Sequence, residues 1–103
     1  MPTVPVQRLE QICRSAVLAM GGSESAADDM VASLISANIE GMDSHGMLRL
    51  PSYASLVDKG LINPRAVPEV VRQDRAVTLL DGHWCFGQVG ARVAARHAIA
   101  AAQ

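Results

Sequence analysis

His45 and Arg49 stand four residues apart in the run Asp43-Ser44-His45-Gly46-Met47-Leu48-Arg49-Leu50-Pro51-Ser52-Tyr53. Histidine is the side chain best suited to give or take a proton near neutral pH. Arginine offers a planar fork that grips a carboxylate through two parallel hydrogen bonds. On one turn of α-helix, residues four apart share a face. A proton donor beside a carboxylate clamp is what reducing a 2-keto acid, or oxidising a 2-hydroxy acid, requires.

Each of these residues has a plainer reading. His45 fits equally a surface loop between helices, with Gly41 and Gly46 allowing the turn. Arg49 fits a solvated side chain or a partner of Asp43. Ser44 orients His45 by a hydrogen bond or caps the turn that follows. Tyr53 reads as a half-buried packing residue with its hydroxyl satisfied. His83, in a turn, reads as exposed, and His97 as a core or interface histidine. The three histidines are far apart in sequence, and neither they nor Cys13 and Cys85 have zinc-ligand spacing, so no metal is expected. Gly82, Gly87 and Gly90 do not make G-x-G-x-x-G, and no P-loop is present.

The elements that must position this run are mostly helical. Val6, Leu9, Ile12, Cys13, Ala16, Val17 and Met20 recur at helical spacing and predict a helix over 6–20, ended by Gly21-Gly22. Ser23 is a good N-cap for a second helix over 23–40, with Glu24 in its first turn and Ala27, Met30, Val31, Leu34, Ile35 and Asn38 along one face. Gly41 is its stop. A third helix covers 50–59, with Pro51 in its first turn, Tyr53, Leu56 and Val57 facing inward, and Gly60 closing it. His45 to Arg49 then forms a separate turn, and the shared-face argument depends on its local geometry. Ile62-Asn63-Pro64 and Val67-Pro68 read as an extended linker. A small β-hairpin near 69–80 turns around Gln73-Asp74-Arg75, and Asp81-Gly82 is a further turn. A last helix covers 87–102, with Val89, Val93, His97 and Ala101 on one stripe. The fold class is α+β, mainly α.

The 103 residues suit one small domain. Half are apolar and 18% are charged, with one Trp, one Tyr and one Phe, so the core must be aliphatic. Nine basic and ten acidic residues give a formal charge of -1, which argues against nucleic acid as a partner. No apolar stretch approaches the roughly 20 residues needed to cross a bilayer, and the N-terminus does not read as a signal peptide. Cys13 and Cys85 read as reduced, buried thiols of a cytoplasmic protein. The last helical pattern runs to Gln103 with no capping glycine or proline, which reads as a piece of something longer.

The segment EGMDSHGMLRLPSYASLVDKGLINPRAVPEV resembles the N-terminal region of the malate/L-lactate dehydrogenase family, NAD(P)-dependent oxidoreductases distinct from the Rossmann-type enzymes. The stretch AVTLLDGHWCFGQVGARVAARHAIAAA is similar to that family's next block, in order and at compatible spacing. The resemblance implies hydride transfer between NAD or NADP and a small 2-hydroxy acid, 2-keto acid or cyclic imino acid. It implies His45 as the catalytic proton donor and acceptor, with Ser44 beside it in a relay to a downstream aspartate. It implies Arg49 near substrate carboxylate or, alternatively, cofactor. Homodimers are common in the family, so a homodimer or self-association is expected here. The family's N-terminal helices belong to a larger discontinuous domain, and its members are much longer than this chain. Residues 1–103 are therefore expected to be the N-terminal segment, with the main cofactor-binding residues and the relay aspartate beyond Gln103 and little activity in isolation. The competing expectation is a non-catalytic helical module for interaction or dimerisation.

Overall fold

The computed structural model describes residues 3–103. Four α-helices and one hairpin follow in the order α1 (Val6–Ala19), α2 (Glu24–Ile39), α3 (Leu50–Asp58), β1 (Glu69–Asp74), β2 (Val77–Asp81) and α4 (Gly87–Ala102). Two short 3-10 turns, Asp43–His45 and Met47–Arg49, join α2 to α3. The architecture is α+β and mainly helical, as the sequence pattern requires.

The α1 stripe packs on α2 and buries Cys13 and Val17 against Ala27, Met30 and Leu34. Ile12 and Val6, on the same sequence stripe, stay largely exposed, because the described chain covers only the strip facing α2. The Ser23 side chain accepts a hydrogen bond from the Ala26 amide at 3.0 Å, the N-cap expected for α2. Arg14 on α1 reaches across to Glu24 and Asp28 at the start of α2. Its hydrogen bond to the Asp28 carboxylate holds the guanidinium above its ordinary value. Burial pushes the Cys13 thiol up, with Arg14 nearby opposing the shift.

Phe86 and Val89 carry the start of α4 into the core. The Phe86 ring stands edge-on to Tyr53 of α3, with centroids 6.1 Å apart and planes at 89°. Beyond that first turn α4 is mostly exposed, and Val93 and His97 are half-buried. Cys85 is half-buried too, rather than buried as expected, and both cysteines are free.

The hairpin turns later than expected. β1 continues through Asp74, and the two-residue turn is Arg75-Ala76, with Arg75 at φ 53°. The register pairs Val70 with Leu80 and Arg72 with Leu79, so Val71 is the extra residue of a bulge. The 61–68 linker is also less extended than the prolines imply. Asn63 Oδ1 accepts the Arg65 amide at 3.1 Å and folds Pro64-Arg65 into a turn. Arg65 Nε then donates to the Gly21 carbonyl at 3.3 Å, tying the linker to the end of α1.

Candidate active site

The site begins where α2 stops. Gly41 takes φ 84°, a conformation open to glycine at little cost, and the chain reverses there. The first 3-10 turn closes through His45 N–H to Met42 O at 2.9 Å and Gly46 N–H to Asp43 O at 3.1 Å. The second closes through Arg49 N–H to Gly46 O at 3.0 Å. Between them Gly46 is extended, at φ -98° and ψ -146°.

That break corrects the shared-face argument. His45 and Arg49 do not lie on one turn of α-helix. The Met47 amide, which a helix would direct to the Asp43 carbonyl, instead donates to Asn38 Oδ1 at 2.9 Å. Asn38 Nδ2 donates to Asp43 Oδ1 at 3.0 Å. Gly46 lies so close to the Asn38 amide that a Cβ there would overlap it. The pair is brought together another way. Arg49 folds back, and its Nε donates to the Ser44 carbonyl at 2.7 Å, on the residue preceding His45. Arg49 is therefore not a salt-bridge partner of Asp43.

His45 and Ser44 are exposed, and Ser44 Oγ lies 3.0 Å from His45 Nδ1. When the ring is protonated both nitrogens are donors, so Ser44 Oγ then accepts from Nδ1. His45 opens onto a groove of about 550 Å³ between α2 and α4. Its walls include Ser36 from α2, Glu40 just past the end of α2, and Gln88 and Arg92 from α4. Arg92 Nε pairs with Asp29 Oδ1 at 3.4 Å, and the Asp29 side chain is 12% exposed. Gln88 Nε2 donates to the Tyr53 hydroxyl at 2.8 Å, which links α4 to α3. Arg49 does not line this groove.

A family model described as malate/L-lactate dehydrogenase matches residues 4–103. The chain belongs to the malate/L-lactate dehydrogenase family. A hydroxycarboxylate dehydrogenase B from Escherichia coli is 34% identical over 88 residues, 85% of this chain and 24% of that protein. A Delta(1)-pyrroline-2-carboxylate/Delta(1)-piperideine-2-carboxylate reductase from Pseudomonas syringae pv. tomato is 31% identical over 86 residues, 84% of this chain and 25% of that one. The solved malate dehydrogenase from Entamoeba histolytica superposes with a TM-score of 0.93 at 31% identity, over 98% of this chain and 28% of that one. This family member thus spans about a quarter of the length of the relatives it matches.

In the link from β2 to α4, a Cβ at Gly82 would stand 3.4 Å from Cys85 Sγ, in ordinary packing contact. Among the described residues no three His, Cys, Asp or Glu side chains cluster to hold a metal ion, and no helix is long and apolar enough to cross a membrane. His83 lies away from the groove, with its ring 3.5 Å from Asp81 Oδ2 and 3.7 Å from Glu69 Oε2.

Sequence reasoning missed Gln88 and Arg92 as groove residues and Asn38 as a hydrogen-bonding centre. Gln88 stood in the quoted F-G-Q block, and Arg92 falls one turn later on the same helix face. Asn38 had one available signal: it is the polar residue at the end of an otherwise apolar stripe.

Proposed function

We propose that this chain supplies the proton-transfer wall of an NAD(P)-dependent oxidoreductase acting on a small 2-hydroxy acid, 2-keto acid or cyclic imino acid. The observation that carries the reading is His45 in the wall of the groove, with its Nδ1 engaged by Ser44 Oγ and Nε2 left for a ligand in this reading. In reduction, protonated His45 gives its Nε2 proton to the substrate's carbonyl oxygen or imine nitrogen, while Ser44 Oγ keeps the remaining proton at Nδ1. In oxidation, neutral His45 takes the proton back. Arg49 lies outside the groove wall, and its clamp role rests on the family resemblance: with Nε held by the Ser44 carbonyl, its terminal nitrogens remain for the substrate carboxylate or a cofactor anion. NAD or NADP, when bound, supplies or accepts the hydride. Its main binding residues lie outside residues 1–103 in this reading, so the chain is the N-terminal segment of a longer catalytic unit and is inactive by itself.

The names of the relatives support both substrate classes: one is a hydroxycarboxylate dehydrogenase and another an imino-acid reductase. A second reading, a helical module for self-association, draws support from exposed apolar side chains around the hairpin, with Trp84 81% exposed and Val67 and Val77 also open. The two readings are compatible in a homodimeric oxidoreductase. No nucleic-acid or membrane partner enters the proposal, and the chemistry suits the cytoplasm.

The test is NAD(P)H oxidation with a panel of 2-keto acids and cyclic imino acids, in a polypeptide of the relatives' length containing this segment. His45→Ala is expected to lower kcat by about a hundredfold or more, and unchanged turnover refutes the role. The same assay on residues 1–103 is expected to show no turnover. Turnover above the His45→Ala background would refute inactivity of the isolated segment.

A further inference from the structure

We infer that Asn38 is the positioning residue of the His45 loop, an inference that rests on the proton-transfer reading above. Its single amide ties both 3-10 turns to the end of α2. Oδ1 accepts the Met47 amide at 2.9 Å on the far side of His45. Nδ2 donates to Asp43 Oδ1 at 3.0 Å on the near side. His45 is strung between these two anchors, with Gly46 pressed against the amide itself.

The chemistry selects an amide. The group facing the Met47 N–H must be an acceptor, and the group facing the Asp43 carboxylate must be a donor. Aspartate at position 38 keeps the first bond and sets two carboxylates against each other. Leucine has a similar shape and makes neither bond. The partners also fix which end of the amide is oxygen, since the reverse orientation would oppose N–H to N–H and oxygen to carboxylate. Asn38 is half-buried on α2, a rigid element. The loop therefore takes its bearing from the helix that also forms one wall of the groove.

Removing the clamp frees His45 relative to the groove without touching the imidazole, Ser44 or Arg49. An error of about an ångström in a catalytic group costs on the order of a hundredfold in rate, and it does so in kcat rather than in substrate affinity.

The test uses isotopically labelled chain 1–103 and reads two nuclear magnetic resonance signals. These are the exchange rate of the Met47 amide and the ring-nitrogen shifts of His45, which report how Nδ1 is held. Asn38→Ala is expected to speed Met47 exchange by about tenfold and to move the His45 ring signals toward those of a free imidazole. Asn38→Asp is expected to shift the ring signals in the same direction. The exchanged pair Asn38→Asp with Asp43→Asn restores one donor and one acceptor across the contact and is expected to return both signals to the native values. Asp43→Ala alters only an exposed carboxylate and serves if Asn38→Ala does not fold; it is expected to move the ring signals the same way. Unchanged Met47 exchange and ring signals in these single variants, or an exchanged pair no better than Asn38→Asp, overturns the inference. In the longer polypeptide, Asn38→Ala is expected to lower kcat tenfold to a hundredfold with KM within about twofold, and the exchanged pair to recover it. Full turnover by His45→Ala, with the ring signals still following the clamp, would instead overturn the proton-transfer reading.

Discussion

Adding one methyl group at Gly46 should loosen the loop that carries His45. Nothing about its backbone angles demands glycine, since φ is -98°. The obstacle is the Asn38 amide, which a Cβ would overlap. The amide must retreat, and hydrogen bonds of 2.9 Å to Met47 N and 3.0 Å to Asp43 Oδ1 do not survive such a displacement. Losing the half-buried, neutral Met47 bond costs about 1 kcal/mol. The exposed bond to Asp43 adds roughly half that, because water replaces it readily. Against this, Gly→Ala restricts the unfolded chain and returns about 0.4–1 kcal/mol. The net expectation for Gly46→Ala is a loss of about 0.5–1 kcal/mol, or roughly 2–8 °C in Tm for a domain of this size. Gly87→Ala is the matched control. It starts α4, and its Cβ would meet nothing within 4 Å, so it should gain about 0.5 kcal/mol. Thermal unfolding followed by circular dichroism, with urea midpoints beside it, reads the difference between the two variants. If Gly46→Ala proves as stable as Gly87→Ala, the amide has room to move and the close approach is not what holds the loop.

Two further outcomes follow from burial. The Cys13 thiol is pushed up by burial, so the folded protein holds that proton more tightly than the unfolded chain; its contribution to stability is full below the ordinary thiol value of 9.0 and is lost as pH rises beyond it. Cys13→Ala should flatten the alkaline fall in Tm, and an unchanged slope would refute this. The half-buried Cys85 should be alkylated much faster than Cys13 in the native chain, as read by peptide mass mapping; equal rates would contradict the burial of Cys13. The exposed Trp84, Val67 and Val77 predict association of the isolated segment at micromolar concentration or above. Analytical ultracentrifugation checks this, and a monodisperse monomer that unfolds cooperatively counts against it.

Much of the framework was legible because its signals are local. Helix limits follow from apolar spacing, from Ser23 as a cap and from Gly21, Gly41 and Gly60 at the stops, each a matter of a few neighbouring residues. The hairpin was legible in place but not in register. A bulge at Val71 and a turn at Arg75-Ala76 depend on cross-strand pairing, and the turn contains no glycine to mark it. Trp84, with φ of 64°, gave no residue-type signal for a left-handed backbone.

By itself the sequence determined the family, the mainly helical α+β class, and the chemical types Ser44, His45 and Arg49 on one short loop. Residue identity and near-neighbour spacing carry that information. The tertiary structure decided how the loop is bent, because the partner that breaks the helix at Gly46 is Asn38, a side chain on another element. It also decided what His45 faces. Gln88 and Arg92 come from a helix more than forty residues away, and the packing of α4 on α2 sets them along one groove with the histidine. Contacts between distant segments follow from which apolar faces bury one another, and spacing along the chain does not encode that.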